Sequence, residues 1–107
     1  MIDLAQLAAV PGVRGAVLAD LAGGFLDAVR EPEGEALAAV AGFLCTTVGQ
    51  AGDDLGLGPV ARISVAGAAR AGLVVVDGQR IVAATIEPGS ALAGVERSLD
   101  AARKGSA

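Results

Sequence analysis

Residues 36–52 read ALAAVAGFLCTTVGQAG, and this charge-free stretch decides how the chain folds. Acidic residues flank it on both sides: Glu31, Glu33 and Glu35 before it, Asp53 and Asp54 after it. The stretch predicts one long helix, from about Glu33 to Leu55. A surface helix normally carries charged residues opposite its apolar side, and this one carries none. We therefore expect both sides of the helix to be covered, one by the core of the chain and the other by a second chain.

The two sides of this helix differ in side-chain size. One side, the bulky stripe, consists of Leu37, Val40, Leu44, Val48, Ala51 and Leu55. The opposite side, the small face, consists of Ala38, Gly42, Cys45, Thr46 and Gly49. Glycine inside a helix costs about 1 kcal/mol relative to alanine, but small residues let two helices approach closely. We predict that the small face packs against the same helix of a second copy, which makes the chain a homodimer. The flank that this pairing leaves exposed, the predicted partner-binding surface, consists of Ala39, Phe43, Thr47, Gln50 and Asp54.

Composition excludes several classes of function. The chain has 107 residues, a net charge of −4, eight scattered basic residues and two aromatic ones, which argues against binding nucleic acid. It has no histidine and one cysteine, so it lacks Ser-His-Asp, Cys-His and zinc-binding patterns. We therefore predict no catalytic residue, no cofactor and no metal, and hence no enzyme. The charge-free stretch is short for a membrane span and has acidic flanks, so no membrane partner is expected. The start Met1-Ile2-Asp3 lacks a basic region, which predicts a cytoplasmic location.

Four local features have both a functional and a structural explanation. Asp53 and Asp54 oppose the helix dipole, which fits either a partner site or, more simply, a solvated helix end. The three glutamates suit a helix N-terminus, and their spacing does not suit a metal cage. Cys45 fits a small apolar position, with a disulfide between two copies as the alternative. The glycine-rich stretch 52–58 lacks the Lys-Ser/Thr of a Walker loop.

The rest of the chain predicts two more helices and five strands. A short helix contains Leu4, Leu7 and Ala8 and ends at Pro11-Gly12. The strands are expected at Val13–Ala19, Phe25–Arg30, Val60–Ala66, Ala71–Val76 and Gln79–Ile86, the second and third of these at the edges of the sheet. The last helix is expected to start at Ser90 as N-cap and to have an apolar stripe of Leu92, Val95, Leu99 and Ala102.

The turns between strands indicate how they pair. The segment Asp20–Gly24 predicts a turn, and Asp77-Gly78 predicts a type I′ hairpin. Such short turns make neighbouring strands antiparallel, so the fold class is α+β. We expect a single domain over residues 1–104, followed by a frayed tail at 105–107.

This order of elements resembles the Roadblock/dynein light chain family. The resemblance rests on fold positions spread over nearly the whole chain: Val13–Leu18, Asp20, Gly23, Gly24, the Ala-rich long helix, Arg70–Gly78 and Ser90–Val95. It implies a five-stranded antiparallel sheet in the order 2-1-5-4-3, with the long helix on one face and the terminal helices on the other. It also implies dimers in which the long helices pack together and the third strands pair, here around Arg62 and Ser64. Many members bind Ras-like small GTPases, and in bacteria they often accompany a GTPase that sets polarity or motility.

Three function classes follow from these observations. A non-enzymatic homodimer that binds a Ras-like small GTPase is the leading hypothesis, and its GTPase partner comes from the resemblance alone. The first alternative is a dimeric adaptor for another protein partner. The second is a small-molecule sensor, which the absence of polar residues at the inward positions disfavours.

Overall fold

The computed structural model describes residues 3–87 and 92–106. The chain forms three helices and five strands. The helices are α1 (Leu4–Ala8), α2 (Gly34–Asp54) and α3 (Leu92–Ser106), and the strands are β1 (Val13–Asp20), β2 (Phe25–Val29), β3 (Arg62–Ala66), β4 (Ala71–Asp77) and β5 (Arg80–Ile86). Helix α3 includes Gly105 and Ser106, which we expected in a frayed tail. The predicted N-cap at Ser90 lies outside the described residues.

The strands form one antiparallel sheet in the order β2-β1-β5-β4-β3. The predicted α+β class, strand order and edge strands are therefore confirmed. Both edge strands are shorter than expected. Strand β2 ends before Arg30 because this residue has a φ of 53°, which takes the chain out of the extended conformation. Strand β3 starts only at Arg62, after the turn residue Gly58 (φ 82°) and Pro59, which has no N–H to pair.

The hairpin between β4 and β5 differs from the predicted one by one position. Asp77 pairs with Arg80, so the two central residues of the turn are Gly78 and Gln79. Gly78 has a φ of 65°. Gln79 does not have a positive φ, since Arg30 is the one described non-glycine residue that has one. A type I′ turn needs positive φ at both central positions. The single positive φ, at the first central residue, fits a type II′ turn instead.

Each face of the sheet has its own apolar cluster. On one face, α1 and α3 bring Leu4, Leu7 and Val95 against β1, β4 and β5. On the other face, α2 brings Ala38 and Ala41 against Val17, Ile81 and their neighbours in the sheet. No polar or charged side chain is buried in the described part of the chain. The long helix and the terminal helices thus cover opposite faces of the sheet, as the resemblance implied.

The side of α2 that faces the sheet is the small face, and our assignment of this face to a second copy is wrong for its most buried members. Ala38 and Gly42 are buried inside the chain, and Cys45 is half-buried against the same cluster. A Cβ at Gly42 would lie 2.6 Å from Cα of Gly23, in the β1–β2 turn. The small residues therefore allow close approach between α2 and this turn, rather than between two helices.

The remaining members of the predicted dimer interface occupy different places. Gly49 is half-buried, and a Cβ there would meet Val60 of the same chain at 3.6 Å. Thr46 is exposed, and its hydroxyl donates a hydrogen bond to the carbonyl oxygen of Gly42 (3.1 Å). Arg62 and Ser64 lie on the edge strand β3. The role of the third strand in pairing two copies therefore stays a prediction.

Candidate protein-interaction surface

The outer side of α2 exposes large apolar side chains to solvent. Val40 is 52% exposed and Phe43 is 69% exposed. The whole predicted partner-binding surface is exposed: Ala39, Phe43, Thr47, Gln50 and Asp54. No charged residue occurs between Ala36 and Gly52. Because contiguous exposed apolar residues mark interaction sites on soluble domains, this side of α2 is a candidate protein interface.

A groove runs along α2 on the side towards β3. The helix packs mainly against β1, β2 and β5, and it covers the β4–β3 part of this face only in part, at Val74 and Ile63. Leu37 and Leu44 of the bulky stripe line the groove, together with Val65 of β3, which is 53% exposed. The volume of the groove is about 280 Å³. The bulky stripe thus borders an open apolar groove. We had expected this stripe to pack against the core of the chain.

The two edges of the sheet differ in how well they are protected. The pairing of β2 with β1 is interrupted by a register shift next to Leu18 and Ala19. Asp27 of β2 accepts a hydrogen bond from the backbone N–H of Ala28 (2.8 Å). A bulge and a charged side chain are two devices that prevent a sheet edge from adding another strand. Strand β3 has no bulge, and all five of its residues pair with β4 in unbroken register. Its one charged residue, Arg62, is held by ion pairs to α3.

Polar contacts hold β3 to α3 on the other face of the sheet. The guanidinium of Arg62 forms ion pairs with Asp100 and, at 3.9 Å, with Glu96. The hydroxyl of Ser64 donates a hydrogen bond to the same Glu96 carboxylate. These side chains point away from α2, so they leave the groove beside α2 apolar. The outer backbone edge of β3 is therefore available for pairing without disturbing this network.

The charges around α2 have one sign. The segment from Glu31 to Ala61 contains five acidic residues and no basic one. The acidic residues lie at the two ends of the helix, and the middle is neutral. Burial raises the pKa of the Cys45 thiol, so at neutral pH it is held as the unreactive thiol. The half-buried position of Cys45 against its own sheet also disfavours the alternative of a disulfide between two copies.

The described residues provide neither a metal site nor a membrane span. Within 3–87 and 92–106, no group of three or more His, Cys, Asp or Glu side chains converges to hold a metal ion. None of the helices in that part of the chain is long and apolar enough to cross a bilayer.

Solved structures with the Roadblock fold are similar to this chain over most of its length. The Roadblock/LC7 domain from Streptomyces avermitilis has a TM-score of 0.80 and 20% identity, covering 94% of this chain and 88% of that domain. Myxococcus xanthus MglB has a TM-score of 0.81 and 14% identity, covering 92% of this chain and 84% of MglB. A structure of MglB with tetrameric arrangement has a TM-score of 0.81 and 16% identity, with coverages of 95% and 80%. No protein-family model and no curated protein sequence matches the chain. At these identities the similarity establishes the Roadblock fold, as the sequence resemblance implied.

Proposed function

We propose that this chain is a non-enzymatic homodimer that binds a Ras-like small GTPase on the outer side of α2. The observation that carries the proposal is the uncovered apolar surface of α2, with Phe43 69% exposed and no charge in the middle of the helix. A monomer in water would leave this surface and the adjoining groove unburied, which favours association. The Roadblock fold supports the choice of partner, since many members of that family bind Ras-like small GTPases.

The proposed dimer joins two copies through β3 and the bulky stripe. Strand β3 is the less protected edge, and pairing two copies of it removes an open apolar edge from each. The groove beside Leu44 and Val65 then receives α2 of the second copy. The tetrameric arrangement of one MglB structure supports self-association in this fold. This interface keeps the predicted pairing of the third strands and changes the helix side that packs, because most of the small face is already packed inside the chain.

In this dimer, the two α2 helices present one composite surface around the twofold axis. The residues that remain exposed on it are Phe43, Thr47 and Gln50. If this chain binds one nucleotide state of the GTPase more tightly than the other, binding would shift the switch loops of the GTPase towards the conformation of that state. No catalytic group from this chain is required. Binding without hydrolysis is therefore the expected activity.

Binding of purified Ras-like small GTPases, loaded with GTP or GDP analogues, tests this proposal. We expect one nucleotide state to bind more tightly and the Phe43→Ser variant to lose binding. The control is Leu21→Ser, which changes another exposed apolar residue, 41% exposed, in the β1–β2 turn. Absence of binding in both states by a folded dimer would refute the GTPase partner and favour the adaptor alternative. Equal losses in both variants would place the site elsewhere.

A further inference from the structure

A second apolar groove, the C-terminal groove, lies at the C-terminal end of α2. It has a volume of about 400 Å³ and lies between the last two turns of the helix and the segment that leads into β3. A Cβ at Gly52 would lie 3.4 Å from the carbonyl oxygen of Gly58, so this segment packs directly on the helix. Leu55 and Leu57 line the groove and are each 74% exposed. Among the large apolar side chains of the described residues, these two are the most exposed.

Backbone hydrogen bonds fix the turn that carries these leucines. The N–H of Leu57 donates to the carbonyl oxygen of Gly52 (2.8 Å). The N–H of Gly56, which has a φ of 71°, donates to the carbonyl oxygen of Asp53 (3.1 Å). This pattern is the Schellman motif, in which the residue at the Leu57 position usually packs on a side chain of the last helical turns. The residues at those positions are Gly52 and Ala51, which offer at most a methyl group. Leu57 is therefore held in place by the backbone but lacks the apolar contact that normally covers it.

The rim of the C-terminal groove is acidic. Asp53 and Asp54 directly precede Leu55, are exposed, and form no ion pair within the described part of the chain. The C-terminal end of the helix adds partial negative charge. The one basic residue among the described lining residues is Arg62, whose guanidinium is already paired with Asp100 of α3. The groove thus combines an uncovered apolar lining with uncompensated negative charge.

This combination restricts what can fill the groove. Its carboxylates repel a nucleic acid and a lipid surface rich in anionic headgroups. Two copies that met symmetrically through the groove would bring four carboxylates together, because such a contact places the same patch on both sides. A protein segment with a bulky apolar side chain next to a lysine or arginine matches both features. Its apolar side chain would cover the leucines, and its cation would lie at the acidic end of α2.

We propose that the C-terminal groove is a docking site for a separate partner protein, which inserts a short segment that has a leucine or phenylalanine next to a lysine or arginine. The site depends neither on the proposed dimer nor on the proposed GTPase. Gly52 lies nine residues beyond Phe43, which is about 13 Å along a helix. The groove therefore adds a second contact region at the end of α2, where the chain holds another protein by a linear segment.

Binding of fluorescent peptides to the full-length chain tests the proposal. The probes are three matched peptide libraries on a glycine-serine background. The first varies the position of leucine or phenylalanine beside lysine, the second has glutamate in place of lysine, and the third has serine in place of the apolar residue. We expect saturable binding, measured by fluorescence polarisation, from the first library alone.

Two variants locate the binding site for the tightest peptide of the first library. Leu57→Ser should weaken its binding by about tenfold or more, because the peptide loses an apolar contact. Asp53→Asn/Asp54→Asn should weaken it by about threefold to tenfold and remove most of its salt dependence. Because all three side chains are exposed, both variants should keep the unfolding free energy of the wild-type chain, which urea unfolding checks.

The controls change the same residue types elsewhere on the chain. Leu21→Ser removes another exposed leucine and Glu35→Gln removes another exposed carboxylate, and neither should change peptide binding. Absence of saturable binding by every library would overturn the proposal, as would equal losses in Leu21→Ser and Leu57→Ser. Equal binding of the lysine and glutamate libraries would refute the basic partner. Oligomers of the wild-type chain that Leu57→Ser dissociates would show that a second copy fills the groove instead.

Discussion

The packing of Gly42 against the β1–β2 turn leads to a sharp prediction about two glycines of α2. A Cβ at Gly42 would lie 2.6 Å from Cα and 2.7 Å from N of Gly23, both backbone atoms. Carbon atoms pack best at about 3.5–4.0 Å, so helix and turn would have to separate by roughly 1 Å. A Cβ at Gly49 would meet only a methyl group of Val60, at 3.6 Å, which is an ordinary contact. Gly42→Ala should therefore strain the fold, whereas Gly49→Ala should fit.

The expected magnitudes follow from two opposing terms. Helix propensity alone should raise the free energy of unfolding by about 1 kcal/mol in both variants, because alanine favours the helix more than glycine does. Overpacking costs about 1–3 kcal/mol, and only Gly42→Ala incurs it. Gly49→Ala should thus be more stable than the wild-type chain by up to about 1 kcal/mol. The difference between the two variants, in which the helix-propensity term cancels, should be about 1–3 kcal/mol.

Urea unfolding followed by circular dichroism measures this difference. All chains must be compared at one protein concentration, because dimerisation adds to the apparent stability. Equal unfolding free energies for the two alanine variants, within about 0.5 kcal/mol, would refute the packing of α2 on the β1–β2 turn. That result would restore the arrangement inferred from sequence alone, in which both glycines face a second copy.

Three further outcomes are expected. Val40→Glu should abolish the dimer in sedimentation experiments, because Val40 borders the proposed interface. It should not unfold the chain, since Val40 is 52% exposed in the protomer. A variant that remains dimeric would place the interface elsewhere. Cys45 should react with iodoacetamide more slowly than a free thiol at pH 8, because its raised pKa lowers the thiolate fraction, and urea should abolish the difference. At Arg30, alanine should destabilise more than glycine. Both substitutions lose the guanidinium hydrogen bonds to the carbonyl oxygens of Ala8 and Val13, but glycine relieves a φ of 53° that costs other residues about 1–2 kcal/mol. Thermal unfolding would check this order.

Local sequence patterns predicted the order of elements and the pairing of strands joined by short turns. Turn residues such as those at Asp20–Gly24 act over a few positions, and they fix antiparallel neighbours without reference to the rest of the chain. The absence of charge between Ala36 and Gly52 predicts that both sides of the helix are covered. The sheet covers one side, and a cover for the other side stays a prediction. The resemblance to the Roadblock family then supplied the strand order, which local patterns do not contain.

The side of α2 that faces the sheet could not be predicted from the sequence. Periodicity gives the angle between the small face and the bulky stripe, but it does not say what lies opposite each one. Small residues suit any close approach of two backbones, and here the second backbone belongs to Gly23 of the same chain. The conformation of Arg30 likewise depends on carbonyl groups at Ala8 and Val13, which only the folded chain brings within its reach. Contacts between residues distant in sequence arise from the joint packing of several elements, so no local pattern in this chain could reveal them.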